Sequence, residues 1–144
     1  MKAAFLLVAL EVCLLVSVVA VARTDAAQVR PWRATPEAIR DQVAALSAAD
    51  PSTRALAACR LRSMGRRAEE AVPALMRLLA DATPIAPVDC WSDNSTPGLE
   101  AARALGSIGS QAAIEPLLEA LRSPNPELRR TAARALGLMM RRRR

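Results

Sequence analysis

Apolar residues recur along this chain at the spacing of one face of an α-helix, and the short helices that carry this pattern come in pairs. The clearest pair lies at residues 99–121, LEAARALGSIGSQAAIEPLLEAL, where two Ala/Leu-rich helices flank a turn at Gly109. No stretch alternates apolar and polar residues as a half-buried strand does. The pattern therefore predicts an all-α fold built from helical hairpins.

The amino-acid sequence of this hairpin recurs before and after it in the chain. TAARALGLM at residues 131–139 copies its first helix, and residues 55–81, ALAACRLRSMGRRAEEAVPALMRLLAD, are a looser copy of both helices. Ala101 and Ala132 are 31 residues apart, whereas Gly65 and Gly109 are 44 apart, an excess of 13 residues. The excess predicts an inserted loop at residues 82–96, between the first and second full repeats.

Four helix starts carry the same signal, a capping residue followed by proline. The pairs are Thr35-Pro36, Asp50-Pro51, Thr96-Pro97 and Asn125-Pro126. Gly65 is predicted to end the second of these helices, and its partner is predicted over residues 68–80. The predicted buried positions are Ile39, Val43 and Leu46; Val72, Leu75, Met76 and Leu79; Ala102, Leu105 and Ile108; Ile114, Leu117, Leu118 and Leu121; and Leu128, Ala132, Ala135 or Leu136, and Met139.

The last helix has no partner helix in the sequence given. Its apolar side, which includes Leu138 and Met139 or Met140, is therefore expected to be exposed unless another protein covers it. This favours a role within an assembly.

The N-terminal residues read as a targeting segment. Residues 3–22 are almost entirely apolar, and Ala20-Val21-Ala22 fits the small-x-small rule of a signal peptidase site. Glu11 within this run and the arginines that follow it count against export, and about 20 apolar residues are enough to span a bilayer. A cleaved signal peptide, an uncleaved anchor and a buried helix of the fold all remain open. The protein is therefore predicted either to be exported, to the periplasm or the extracellular space, or to be anchored in a membrane.

The predicted organisation is a signal peptide or anchor at residues 1–22, a linker at 23–34, a repeat domain at 35–140 and a basic tail at 141–144. The chain of 144 residues carries a net charge of +6, and Lys2 is its single lysine. Because the excess is nearly all arginine spread along the chain, it does not by itself indicate a nucleic-acid surface. Nucleic acid is not an expected partner, since no recognised module or interleaved aromatic pattern is present.

The absence of histidine excludes whole classes of chemistry. A histidine general base, a Ser-His-Asp or Cys-His nucleophile pair and a histidine-ligated metal are all ruled out. The cysteines lack the C-x-x-C spacing of zinc and redox sites. No catalytic residue, cofactor site or metal site is predicted, and the chain is not expected to be an enzyme.

Cys59 lies in a predicted first helix and Cys90 in the inserted loop. In an exported protein such a pair predicts a disulfide that pins the loop to the repeats, and the alternative is two unpaired small residues. Trp91 lies in the same loop between Asp89 and Asp93. It is interpreted as an apolar cover over the helices, with a ligand contact or a weak Ca²⁺ site as the alternatives.

With these repeats placed, the chain resembles HEAT repeats, specifically the phycobilisome-lyase-type HEAT-like repeats of bacteria. The likeness rests on AARALGSIG, AIEPLLEAL, AVPALMRLLAD and PELRRTAARALG, and extends from about residue 50 to residue 140. The resemblance implies a short α-solenoid whose second helices line a concave surface. It also implies structural ion pairing for Asp81, Arg54 and Arg129, where an Asp that closes a second helix meets an Arg early in the next first helix.

The family also includes bilin lyase subunits and an iron-dependent hydroxylase. The hydroxylase is rejected, because its metal is held by histidines. The predicted function is a non-catalytic scaffold that binds another protein, with a membrane tether through residues 3–22 as an option. The alternatives are an accessory or lyase-type subunit of an enzyme complex, and a binder of anionic surfaces through the tail. The predicted partner contacts are Arg77, Trp91, Glu115, Glu119 and Arg122, and the predicted anion contacts are Arg141, Arg142, Arg143 and Arg144.

Overall fold

The computed structural model describes residues 34–86, 90 and 95–142. The predicted signal or anchor segment, almost all of the linker, Trp91 and the last two arginines lie outside the described residues. Throughout the described part all regular structure is helical. Within this part no helix has both the length and the apolar character needed to cross a membrane.

The described chain forms six α-helices. The first helices of the repeats are the longer ones and the second helices are short. The helices are α1, Pro36–Ala45; α2, Pro51–Met64; α3, Val72–Leu78; α4, Pro97–Ile108; α5, Ile114–Ala120; and α6, Pro126–Arg141. Helix α4 is central, because it packs against α2 on one side and against α6 on the other. The three first helices thus form one layer, with α3 and α5 beside them.

The four predicted helix starts are present, and each is capped as expected. The side chains of Thr35, Asp50, Thr96 and Asn125 all accept a hydrogen bond from a backbone N–H of the first turn. The next residue in each case is the proline, which has no N–H to leave unpaired. Since the backbone N–H groups of a first turn have no partner inside the helix, these caps fix where each helix begins.

Both second helices differ from the prediction at their starts. A 3₁₀ segment, Gly65–Ala71, precedes α3, and a shorter one, Gln111–Ala113, precedes α5. The α-helical part of the first is therefore Val72–Leu78, shorter than the predicted residues 68–80. The turn before α5 depends on Gly109, which caps α4 in the left-handed region at φ 77°.

The core is formed by the predicted apolar stripes and by many alanines between them. Gly106 shows how closely the helices approach, since a Cβ atom there would lie 2.7 Å from both Cα and Cβ of Ala135. One predicted position is corrected, since Leu118 was predicted to be buried but is 39% exposed. Met139 is buried, as its place in the predicted apolar stripe implied, and the large apolar residues exposed on α6 are Leu138 and Met140, at 40% and 62%.

Arg54 and Arg129 have the same position and the same contacts in their repeats. The Nη1 group of Arg54 donates to the carbonyl oxygens of Ala48 and Ala49, each at 2.8 Å. The Nη1 group of Arg129 donates in the same way to the carbonyl oxygens six and five residues before it, at 2.8 and 3.0 Å. Each arginine therefore ties the start of a first helix to the turn that precedes it.

Arg54 also forms an ion pair with Asp81, with Nη2 and Oδ2 at 2.7 Å. The ion pair expected for Asp81 is present, but the prediction that its partner lies in the next repeat was wrong. Asp81 closes the second helix of a repeat and pairs with the first helix of the same repeat, 27 residues earlier. The pair holds the two helices of one hairpin together, because both ends are only about one-sixth exposed.

Acid is expected to remove the contribution of Asp81 to stability. Partial burial by itself would raise the pKa of this carboxyl. The hydrogen bonds from Thr83 and Arg54 and the charge of Arg54 together lower the pKa by more than burial raises it, so it lies below the usual 3.8. A carboxyl with a lowered folded-state pKa stabilises the fold fully above its unfolded pKa, and this contribution is lost as pH falls through the folded-state pKa. The Tm advantage of the wild-type protein over Asp81→Asn should shrink as pH falls from about 5 to about 2.

Thermal unfolding of both proteins across this pH range measures the effect. Asp41→Asn is the control, since Asp41 is exposed on α1 and makes none of the ion pairs seen among the described residues. A Tm difference for Asp81→Asn that stays constant down to about pH 2 would contradict the assignment.

Candidate functional site

Two concavities adjoin helix α5 and share its exposed face. One, of about 540 Å³, is lined by Glu115, Leu118 and Arg122 among others. The other, of about 520 Å³, lies between the end of α3 and the start of α6, with Met76 and Leu128 in its wall. Pro116, Glu119 and Arg122 line both. These two concavities together are called the α5 face below.

The α5 face contains three of the five predicted partner contacts. Glu115, Glu119 and Arg122 line it together, whereas Arg77 is exposed on α3 but lines neither concavity. Trp91 lies outside the described residues. The exposed Leu118, which sequence reasoning placed in the core, gives this face an apolar centre between charged side chains. Such an arrangement, apolar in the middle and charged at the rim, is typical of a protein-binding surface.

The inserted loop is bonded to helix α2. Sγ of Cys59 and Sγ of Cys90 are 2.00 Å apart, so the two cysteines that the sequence pairs form a disulfide in the structure. Ile85 is buried against Ala55 and Cys59. The backbone N–H of Ile85 donates to the carbonyl oxygen of Ser95 at 3.2 Å, which closes the base of the loop.

Glu100 lies directly beneath the end of this loop and is fully buried. Its Oε1 accepts a hydrogen bond from Oγ of Ser95 at 2.7 Å and from Arg103, and its Oε2 accepts one from Nη1 of Arg62 at 3.3 Å. Both arginine side chains are 34% exposed. The carboxylate therefore joins α2, α4 and the loop end, and its charge is compensated by two guanidinium groups.

The same two arginines border a third concavity, of about 310 Å³, between α2, α4 and α6. Its polar wall also contains Ser107 and Thr131, and Ala135 and Leu138 form its apolar part. It is called the arginine cavity below. Its four arginines are Arg62, Arg103, Arg134 and Arg142.

The structure describes only half of the predicted anion-binding tail. Arg141 is exposed and does not line the arginine cavity, whereas Arg142 lines it and donates a hydrogen bond to the carbonyl oxygen of Ser107. Arg143 and Arg144 lie outside the described residues. Among the residues that are described, no group of three or more Cys, Asp and Glu side chains is arranged to hold a metal ion.

Sequence reasoning missed Glu100 and the arginine cavity. Glu100 is an acidic residue in the first turn of a helix, which is a favourable and common position that gives no sign of burial. The four arginines are dispersed over residues 62–142 and do not form a sequence cluster. A helical-wheel comparison of the three first helices was the one signal available, since it places Arg103 and Arg134 at equivalent repeat positions 31 residues apart.

Comparison with known proteins identifies the repeats. Residues 93–143 match the family model of HEAT repeats. The phycocyanobilin lyase subunit alpha of Picosynechococcus sp. PCC 7002 is 40% identical over 72 residues, which are 49% of this chain and 25% of that protein. The solved complex of CpcE and CpcF of phycocyanin lyase from Nostoc sp. PCC7120 contains a chain that is 32% identical, with a TM-score of 0.58.

The structural match covers 78% of this chain and 40% of the solved chain. This chain thus spans a quarter of the length of the curated relative and two-fifths of the solved one. The resemblance to HEAT repeats of the phycobilisome-lyase type is confirmed.

Proposed function

We propose, from the match of residues 93–143 to HEAT repeats, that this chain is a non-catalytic subunit that binds another protein and serves as an accessory, lyase-type part of an enzyme complex. The observation that carries the proposal is the likeness to a chain in the solved complex of CpcE and CpcF. The alternative that the sequence left open, an accessory subunit, is thus better supported than a free-standing scaffold.

The α5 face is the proposed partner surface. Two of its apolar residues, Leu118 and Pro116, line the same concavity as Glu115, Glu119 and Arg122. Leu118 is 39% exposed, so covering the part that is still exposed contributes about 1 kcal/mol, and Leu118 is the expected centre of binding energy. The charges around it would fix the orientation of the partner rather than supply most of the affinity.

The names of the two relatives also support a substrate class. One is a phycocyanobilin lyase subunit and the other a phycocyanin lyase, so the proposed complex acts on a bilin pigment. Because this chain matches only part of either relative, it would supply one portion of such a complex.

Export or membrane anchoring remains a proposal of its own. It is supported by the small-x-small site after the apolar segment and by the Cys59–Cys90 disulfide, since disulfides persist in oxidising compartments. N-terminal sequencing of the mature protein tests it. Binding of anionic surfaces through the tail stays a prediction.

Leu118→Asp is expected to abolish partner binding. A charge placed in the apolar centre of the α5 face leaves an unpaired carboxylate in the interface, which weakens binding by about 30-fold or more. The measurement is crosslinking and pull-down of the tagged full-length chain from its native compartment, with quantitation of the main crosslinked protein and of visible pigment absorbance. Because Leu118 is already exposed, the variant should fold normally.

Ala44→Asp is the matched control, since Ala44 is an exposed apolar residue of α1 that lines none of the three concavities. Equal recovery of the partner by the two variants would contradict a role for the α5 face. Recovery of a partner without any pigment would contradict the bilin assignment and leave the protein-binding role standing.

A further inference from the structure

The arginine cavity lies on a different side of the repeats from the α5 face. Its residues come from the first helices α2, α4 and α6 and from Arg142 just after α6, whereas the α5 face is formed by the second helices and the residues that follow them, with Leu128 at the start of α6 as the exception. A ligand in the arginine cavity would therefore bind independently of the proposed partner.

The charge around the arginine cavity is strongly unbalanced. Four guanidinium groups border it, and the single carboxylate in contact with them is that of Glu100. Three positive charges thus remain without a counter-charge in this part of the described structure. Arg134 forms no ion pair with any described residue. Guanidinium groups remain charged at any physiological pH, so this field is permanent.

Two of the arginines are held in place before any ligand arrives. The buried carboxylate of Glu100 accepts hydrogen bonds from Arg62 and Arg103, and Arg62 donates also to the carbonyl oxygen of Cys90 at 3.3 Å. Arg142 is fixed by its hydrogen bond to the carbonyl oxygen of Ser107. Each guanidinium has five N–H donors, so these contacts leave several N–H groups free to face the cavity. A preorganised set of donors binds an anion at a lower entropic cost.

Besides the arginines, Ser107 and Thr131, the wall is apolar. Ala135 and the 40%-exposed Leu138 lie beside the arginines, and a volume of about 310 Å³ is at the lower end of the range for small-molecule sites. We propose that the arginine cavity binds a small organic phosphate, with its phosphate group on the guanidinium groups and its apolar part against Leu138. A phosphate dianion matches the unbalanced charge better than a carboxylate does, and its oxygens accept bidentate hydrogen bonds from arginine.

Calorimetric titration of the full-length protein at low salt tests this inference, with phenyl phosphate, inorganic phosphate and benzoate as probes. Phenyl phosphate is expected to bind most tightly, at one site, and more weakly as salt is added. Arg134→Gln should weaken its binding about tenfold, because a charged hydrogen-bond donor is lost. Arg66→Gln removes the same charge from an exposed side chain that does not line the cavity, so it should change the affinity by at most about twofold.

Each contrary result overturns a stated part of the inference. Equal losses in Arg134→Gln and Arg66→Gln would show general attraction to a basic surface and overturn the site. Inorganic phosphate binding as tightly as phenyl phosphate would overturn the organic ligand, and benzoate binding as tightly would overturn the preference for phosphate. Leu118→Asp should bind phenyl phosphate normally, which separates this test from that of the proposed function.

Discussion

Glu100→Ala is expected to lower the free energy of unfolding by about 3 kcal/mol. The variant removes the shared acceptor of Arg62 and Arg103, leaves the buried hydroxyl of Ser95 without its partner and opens a void beside α4. Breaking a fully buried ion pair costs about 3 to 5 kcal/mol. The lower end applies here because both arginine side chains are one-third exposed and regain water.

Chemical denaturation of wild type and variant measures this loss. Glu100→Gln keeps the shape and one oxygen acceptor but not the charge. Its free energy of unfolding should therefore fall between those of the wild type and Glu100→Ala. Glu127→Ala is the control, since Glu127 forms an exposed ion pair with Arg130 on the surface of α6 and should cost about 0.5 kcal/mol. If the loss in Glu100→Ala were as small as in Glu127→Ala, the carboxylate would have no structural role.

The fold could be predicted from the sequence because the local signals and the repeat pattern agree. A capping side chain and a proline mark each of four helix starts, and Gly109 marks the turn inside the central hairpin at a backbone conformation that favours glycine. These signals act within a few residues of each other. Their consequence, the starts of these four helices and the turn at Gly109, can therefore be derived from the sequence without knowledge of the tertiary contacts.

The predictions of burial were wrong where burial depends on neighbours that are distant in sequence. Leu117 and Leu118 differ by 100° around α5, and the buried side of this short helix runs through Ala113, Leu117 and Ala120. Whether Leu118 is also covered depends on which element lies beside it, and the structure leaves it exposed. The burial of Glu100 similarly depends on Arg62, 38 residues away, and on the path of the inserted loop.

The α5 face and the arginine cavity differ in how far the sequence revealed them. Glu115, Glu119 and Arg122 were predicted to act together, because a helix places residues three and four apart on one side. The arginine cavity combines residues from three helices, and only stacking of the repeats brings them to one place. Repeat periodicity gives that stacking in outline, but it does not give the side-chain directions that close the cavity.

Removal of the disulfide by Cys59→Ser with Cys90→Ser is expected to cost about 3 to 4 kcal/mol. The bridge spans 31 residues of sequence and restricts the unfolded chain over that length. Denaturation of the oxidised and reduced wild-type protein gives the effect of the bridge alone, without a change of side chain. Peptide mapping after alkylation should find neither Cys59 nor Cys90 alkylated before reduction. Alkylated Cys59 and Cys90 in the unreduced protein would contradict the bridge.

The cost of losing the bridge is expected to depend on Glu100. Nη2 of Arg62 contacts Sγ of Cys59 at 3.5 Å and the carbonyl oxygen of Cys90 at 3.3 Å, while Nη1 contacts the carboxylate of Glu100. Because one guanidinium joins both features, the double cysteine variant and Glu100→Gln should be non-additive by at least about 0.5 kcal/mol. Strict additivity in this cycle would show that the loop and the buried carboxylate stabilise the repeats independently, and Arg62 would then be no link between them.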